Sequence, residues 1–324
     1  MNSHTPAIPV WLYGAMEGLR YRQLVSRLKL RHLRLIEAIA SAGSVSAAAE
    51  DLRITQPAVS KGLREAEALF GIPLFERGPY GLTITAMGQI VLAHGKVIQA
   101  ELQTVADQIE AQLSGTSGVI SVGTSLVSRA RLIPRALRLM QDEAENTAVR
   151  LIDGTEEILL DWLREGSLDM MVGRLPPTDR DDGLSREILC QVPIVVVAGK
   201  QHPLAGHSEV TFADLAKASW IFPPPHSFVH ASIMQIFTQL GQPRPRNYVE
   251  SVSYLTVRTL LIDNLMIAAM PQAVIEKDEE MGLIVKLPVA LPQASLPVGI
   301  ITRNDRKVRP DVKLLTACLR AATR

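Results

Sequence analysis

The sequence predicts an α/β chain in two parts: a small helical module with a β-wing, then, beyond one long helix, a two-lobed α/β domain. Three observations predict it. Apolar residues between Leu30 and Phe70 recur at helical spacing in short blocks. A long amphipathic stretch from about Ala86 to Leu113 ends in "SGTSG" (114–118), the composition of a flexible linker. Beyond it, strand-like and helix-like segments alternate. The length of 324 residues suits two to three domains, at roughly 100–200 residues each.

The first helix follows from Leu30, Leu33, Ile36 and Ile39, which line one face. Gly43 suits its end and Ser44 suits the cap of the next helix. That next helix, "VSAAAEDL", is alanine-rich, so a neighbour can approach it closely. "RIT" turns the chain, with Thr55 as expected N-cap and Pro57 in the first turn, where a missing N–H costs nothing. In the third helix each residue advances about 100°, which gathers Val59, Leu63, Ala66 and Phe70 on a core side. Gln56, Ser60, Lys61 and Arg64 then share an adjoining arc of roughly 140°. "GIPLFERGPYGLTIT" reads as two short strands about "GPYG", a wing carrying Arg77. Thr85 is placed to cap the long helix. Met87, Val91, Ile98, Leu102, Val105 and Ile109 make a seam along it, interrupted at His94-Gly95. The seam suits a partner helix, or the helix packs on its own sensor lobe.

The second part reads strand "VISVGT", helix "RARLIPRALRLMQDE", strand "AVRLID", helix "EEILLDWLREG", strand "LDMMVG". A similar set follows through "VPIVVVAG", "VHASIMQIFTQLG", "YLTVRTLLIDN" and "MIAAMP", and the chain returns with "LPVGIITR" and a last helix. The alternation predicts parallel sheets and two lobes with a cleft between them for a small ligand. The expected lobes are 118–190 with 296–324, and 191–295.

Net charge is only +1, so affinity for nucleic acid must come from a local patch. Between Arg20 and Thr85 ten lysines and arginines stand against six acids. A two-helix unit whose second helix has a basic, amide-bearing flank can enter a major groove. There Gln reads adenine edges and Lys or Arg reads guanine or grips phosphate.

"LRHLRLIEAIASAGSVSAAAEDLRITQPAVSKGLREAEALFGIPLFERGPYGLTITAMG" resembles the DNA-binding domain of LysR-type transcriptional regulators. The effector region is similar at lower specificity through "VGRLPP", "HPLA" and "FPPPHSF". The resemblance implies a winged helix-turn-helix at 30–88, a linker and dimerisation helix at 86–113, and a periplasmic-binding-protein-like effector domain at 118–324. It also implies a homotetramer built of paired dimers, double-stranded operator DNA and RNA polymerase as partners, and a small inducer, an organic acid or a sugar. The helix-turn-helix corresponds to Val45 through Arg64, and the DNA-binding set to Ser46, Arg53, Thr55, Gln56, Pro57, Ser60, Lys61, Arg64 and Arg77. Lys61 departs from the arginine of many relatives; a point charge replaces a bidentate fork. A solvated surface laced by Glu65 and Glu67 is the plainer alternative for this flank.

In the effector domain Thr124, Ser125, Ser128, Thr155 and Arg174 are the expected inducer residues. The first four lie at helix starts, where free N–H groups hold a carboxylate or sugar hydroxyls. Ser128 as a simple cap, and Arg174 in a surface ion pair, are the competing uses. His226 and His230 stand four apart without further ligands, so no metal is expected. Cys190, at a strand end, and Cys318, in a helix, read as buried structural thiols. No cofactor is expected: there is no "GxxxxGK". "GTSLVS" is not a nucleophile elbow because Val127 replaces the second glycine. The rival from another class is a solute-binding or catalytic α/β protein with an incidental helical N-terminus.

No apolar run reaches the roughly 18 residues of a membrane helix. "MNSHTPAIPVWLYGAM" has no basic start and is broken by prolines, a poor secretory signal. A cytoplasmic, nucleoid-associated protein without a membrane partner is expected. Residues 1–29 are read as a disordered leader, or as an over-long start with Met16 as the alternative.

Overall fold

The computed structural model describes residues 21–324 except 79–80, 115–117, 142, 144–146, 177–181, 226, 264, 290, 292–294, 305–307 and 324. The chain forms two compact units, one of Met1–Leu113 with Arg164–Ser167, the other of Ser114–Leu163 and Leu168–Arg324.

In the first unit α1 (Tyr21–Arg27), α2 (Leu30–Ala42), α3 (Val45–Asp51) and α4 (Gln56–Phe70) precede the hairpin β1 (Phe75–Gly78) and β2 (Gly81–Ile84) and the long α5 (Ala86–Ser114). Helix α1 corrects the expectation of a disordered leader through residue 29. Its Leu24, together with Leu28 one turn on, packs against the core of this unit, so the segment has a face to bury. Residues 1–20 lie outside the described residues. Ile36, Ile39, Val59, Leu63, Ala66 and Phe70 form that core with Ala48, as the helical spacing predicted, and Leu33 is buried too, but Leu30 at the helix start is exposed. Gly43 ends α2 in the left-handed region, and Ser44 Oγ accepts from Ala47 N at 3.1 Å to cap α3. Thr55 holds the N-cap position of α4 but its side chain makes no capping bond. Glu67 pairs with no base among the described residues. Its Oε1 accepts from the N–H groups of Leu74 and Phe75 at 2.9 and 3.4 Å, fixing the start of β1.

Thr85 does cap α5, its Oγ1 accepting from Gly88 N at 3.0 Å. The 29 residues of this helix span about 43 Å. Val91 and Leu92 pack on the core, and Gly95 faces Leu33, where a Cβ would make ordinary contact. Val91 therefore leaves the expected seam. Met87, Ile98, Leu102, Val105 and Ile109 are exposed, joined by Ile90 and Leu113.

The second unit is built on a nine-stranded sheet ordered β4-β3-β5-β11-β6-β9-β7-β8, with β10 also paired to β6. Its strands are β3 (Val119–Thr124), β4 (Ala148–Asp153), β5 (Met170–Arg174), β6 (Leu184–Gly199), β7 (Trp220–Phe222), β8 (Tyr248–Glu250), β9 (Ile267–Pro271), β10 (Ile284–Lys286) and β11 (Ser295–Arg303). The helices are α6 (Ile133–Gln141), entered through a π turn at Ser128–Leu132, α7 (Glu156–Glu165), α8 (Phe212–Lys217), α9 (Phe228–Gln239), α10 (Tyr254–Asp263), α11 (Gln272–Glu280) and α12 (Pro310–Ala321).

The expected parallel sheets are present in each half, β4-β3-β5 and β9-β7-β8. The strands joining them run antiparallel, β11 to β5 and β6, and β6 to β9, so the sheet as a whole is mixed. Strand β6 is also longer than the apolar "VPIVVVAG" suggested. Its first half, "LSREILCQ", is mostly polar or partly exposed, and it runs on through Cys190 without the break expected there. Cys190 consequently sits inside β6 rather than at its end, half-buried, while Cys318 is buried in α12. Burial pushes both thiols up from their ordinary range.

Close approach of α5 to β1 depends on Gly88. A Cβ there would collide with the Leu74 carbonyl oxygen and lie 2.7 Å from Ile84 Cγ1. Gly88→Ala should therefore destabilise the first unit by about 1–3 kcal/mol, despite alanine's better helix propensity. Denaturant midpoints of the two full-length proteins measure this; equal midpoints would show that helix and strand part without cost.

Candidate nucleic-acid interface and ligand cleft

Helix α4 turns one stripe to the core and leaves the rest to solvent. Gln56, Pro57, Lys61 and Arg64 are exposed and Ser60 is half-buried. Ser46 on α3, Arg53 and Thr55 in the turn, and Arg77 on β1 are exposed as well. Among the described residues Arg53, Arg64 and Arg77 have no ion pair, so their charges are uncompensated locally. Lys61 Nζ lies 3.9 Å from Glu65 Oε1, with the two side chains 74% and 40% exposed. Such an exposed pair is worth little, so it leaves Lys61 available. No acid stands in the first turn of α4. The helix start is electropositive from its N–H groups and from its neighbours alike.

Arg53 is held at φ 55°, one of two non-glycine residues in the left-handed region among those described. This conformation tightens the turn between α3 and α4, where Arg53 N donates to Glu50 O at 3.1 Å. An arginine is strained there; a glycine would not be.

In the second unit a cleft of about 320 Å³ opens between the two halves of the sheet. Its walls are largely apolar, with Ile221, Phe222, Val229, Val257, Met270 and Leu296 among them. Two of the five expected inducer residues line it, Ser125 and Arg174. Ser125 Oγ is buried and has no hydrogen-bond partner among the described residues. It fits because residue 173 is glycine: a Cβ there would lie 2.5 Å from that oxygen.

The other three expected residues are placed elsewhere. Thr124 is fully buried and its hydroxyl donates to Asp153 Oδ1 at 3.0 Å. Ser128 is fully buried too; its hydroxyl donates to Val172 O at 2.6 Å and accepts from Ser125 N at 3.2 Å. Its use is structural, bracing the turn after β3. Thr155 is exposed at the start of α7 and does not line the cleft. Local spacing marks helix starts but does not say which way a hydroxyl turns.

Arg174 also differs from expectation, because it is already paired. Its Nη2 donates to Glu156 Oε2 at 2.5 Å, and its guanidinium carbon lies 5.3 Å from the ring centre of Phe228. Glu156, Phe228 and Tyr254 are the residues that sequence reasoning missed. An acid at a helix start reads as a complement to the helix dipole, which hides a second use. Burial pushes the Glu156 carboxyl above the usual range although Arg174 draws it down. Tyr254 lines the cleft, but its hydroxyl donates to the buried Asp278 at 2.5 Å and is held above its ordinary range, chiefly by burial.

Of the two histidines four apart, where no metal is expected, His226 lies outside the described residues. His230 Nδ1 is 2.9 Å from Pro223 O. No group of three metal-ligating side chains occurs among the described residues. No helix among them is long and apolar enough to cross a membrane.

Residues 30–89 match the family described as "Bacterial regulatory helix-turn-helix protein, lysR family", and residues 113–324 match the "LysR substrate binding domain". The HTH-type transcriptional regulator GbpR of Azospirillum brasilense is 28% identical over 301 residues, 93% of this chain and 88% of that protein. The HTH-type transcriptional regulator PcaQ of Agrobacterium fabrum is 29% identical over 296 residues, 91% of this chain and 95% of that one. Among solved structures, CbnR, a LysR family transcriptional regulator, superposes with a TM-score of 0.64 at 21% identity, covering 92% of this chain and 100% of that one. Full-length CbnR complexed with its target DNA gives 0.63 at 22% identity, covering 91% and 100%.

The strained turn yields a test that separates stability from binding. Arg53→Gly should leave the first unit as stable as before or up to about 1 kcal/mol more stable, and should weaken DNA binding by the loss of one charge. A clear loss of stability by thermal melting would mean that the arginine side chain, not the backbone, holds the turn.

Proposed function

The chain belongs to the LysR family of bacterial transcriptional regulators, and from that premise we propose how its own residues divide the work. It is a DNA-binding regulator with an effector domain, not an enzyme. In our reading α4 enters the major groove, where Gln56 reads an adenine edge and Lys61 and Arg64 read guanine or grip phosphate. Ser46, Arg53, Thr55, Pro57 and Ser60 fix the register on the backbone and groove wall, and Arg77 holds phosphate from the wing. The observation that carries this is the exposed polar and basic flank of α4 opposite a fully buried stripe.

The exposed apolar residues of α5 favour pairing of two such helices, since a helix of this length with Ile98, Leu102, Val105 and Ile109 in water has surface to bury. Two dimers then form a homotetramer in the cytoplasm, on the nucleoid, that works through RNA polymerase. A small-molecule inducer occupies the cleft of the second unit. The domain bounds that go with this reading are 30–88, 86–113 and 118–324.

Base reading and charge are separable by mutation. Gln56→Ala should cost about 1–3 kcal/mol on the preferred operator and relax discrimination at one base position. Equal losses on operator and random DNA, measured by gel retardation, would leave Gln56 only a positioning part.

Arg77→Ala should weaken binding to every sequence and lower the slope of log affinity against log salt by about 0.9 per lost phosphate contact. An unchanged slope would remove Arg77 from the backbone contacts.

A further inference from the structure

The walls of the cleft are apolar, yet one end holds two opposite charges that already satisfy each other. The Arg174 and Glu156 side chains are 25% and 22% exposed, so water screens their pair only in part. Among the described residues no other Lys, Arg, Asp or Glu lines the cleft, and the Tyr254 hydroxyl is committed to Asp278. The lining is therefore neutral overall, with an acceptor-hungry guanidinium and a donor-hungry carboxylate side by side.

We infer that the cleft selects a net-neutral ligand with an apolar body and a head that places a hydrogen-bond acceptor beside a donor. A carboxamide has this pattern, and so does the zwitterionic head of an apolar amino acid. The acceptor meets Arg174 and the donor meets Glu156, while the body lies along Ile221, Val229 and Met270. The inference rests on the cleft being the inducer site.

A ligand carboxylate must either take Arg174 away from Glu156, leaving a half-buried carboxylate without its partner, or lie beside that carboxylate. Both are unfavourable in a site with little water. An organic cation meets the mirror problem at Arg174. A sugar satisfies the head group but buries its remaining hydroxyls against apolar walls, where unpaired polar groups are costly. Ser125 Oγ, buried and without a partner, supplies one further hydrogen bond to a polar head. The sequence alone pointed to an anion because Arg174 was legible and its partner was not.

Benzamide, benzoate and benzamidine share one shape and carry charges of zero, minus one and plus one. Ligand-observed NMR with the full-length protein and millimolar probe ranks them. Wild type should bind benzamide at least about tenfold more tightly than either ion, a difference of about 1.4 kcal/mol. Glu156→Gln should move benzoate up the ranking by freeing Arg174, and Arg174→Gln should move benzamidine up by freeing Glu156. A simple loss of packing would weaken all three probes together and leave their order alone. Wild type preferring either ion overturns the inference even if neither variant folds, as does an order unchanged in both folded variants. Silence from all three probes in all three proteins counts against the cleft as a ligand site and removes the reading beneath the inference as well.

Discussion

The second unit depends on one backbone ladder, the antiparallel pairing of β6 with β11. Strands β3, β4 and β5 reach the rest of the sheet through β11, and β7, β8, β9 and β10 through β6. The ladder runs from Ser295 opposite Pro193 to Arg303 opposite Leu184, with a shift between Val298 and Gly299. Gly299 is obligatory there, because a Cβ would collide with the Glu187 carbonyl oxygen. Immediately past Pro193, β6 changes partner, pairing Ile194 with Pro271 of β9. A proline has no N–H to donate, so the changeover falls where the ladder loses least. Two sheet halves tied by so narrow a join leave a cleft beside it, and Leu296 and Pro271 of the joined strands line that cleft.

What the cleft offers a ligand follows from what the fold has already used. In the turn after β3 Thr124 and Ser128 are fully buried and their hydroxyls pair within the fold. Ser128 closes on Val172 and Ser125, and Thr124 on Asp153, which also pairs with Arg129. Asp278 is 3% exposed and is held by Tyr254 and by Arg258 at 2.8 Å. Buried polar groups satisfied in this way stiffen the walls and take no part in recognition. The groups left over are the Ser125 hydroxyl and the outward faces of Arg174 and Glu156. A site with few free polar groups discriminates by how those few are arranged.

How much of this was legible in the sequence depended on whether the information was local. The stripe of Val59, Leu63, Ala66 and Phe70 is a local period, and it gave both the buried face of α4 and the arc holding Gln56 and Lys61. Gly43 and Ser44 were legible for the same reason, each acting within a few residues of itself. Strand direction is not local: nothing in "LPVGIITR" says that it runs antiparallel to "LDMMVG", so the sheet was read as parallel. The first half of β6 shows no clean alternation, with Ile188 exposed and Arg186 and Glu187 half-buried, and it is a strand through its pairing with β11, a fact from about 110 residues further along the chain. Helix α1 was missed because Leu24 and Leu28 form one short contact rather than a repeat. Arg174 was found because it follows a buried strand directly, while Glu156, 18 residues earlier, is its partner only through the fold.

The start of α4 remains the place where local rules and structure disagree most. Helix N-termini favour acids and a capping side chain, and this one has neither; Thr55 does not cap and the first turn holds no acid. Lys61 and Arg64 follow between one and a little over two turns on, so the basic flank begins just past the reach of the dipole. Glu65 offsets part of this by standing 3.5 Å from Arg31, 3.6 Å from His32 and 3.9 Å from Lys61. Burial holds the His32 imidazole below its ordinary range, so at neutral pH it adds no charge to the cluster. The carboxylate thus serves two cations, both largely exposed, and neither pair is short enough to hold its lysine or arginine in place. An uncapped, electropositive helix start is unfavourable for an isolated domain and favourable only against an anion. Pro57 has no N–H, and the Ala58 and Val59 N–H groups already donate to Thr55 O at 2.9 and 3.2 Å, so a polyanion with phosphates every few ångströms would meet chiefly the helix dipole and the basic flank. The disagreement with helix rules is therefore confined to the surface where a duplex would lie, and the core stripe of the same helix obeys them.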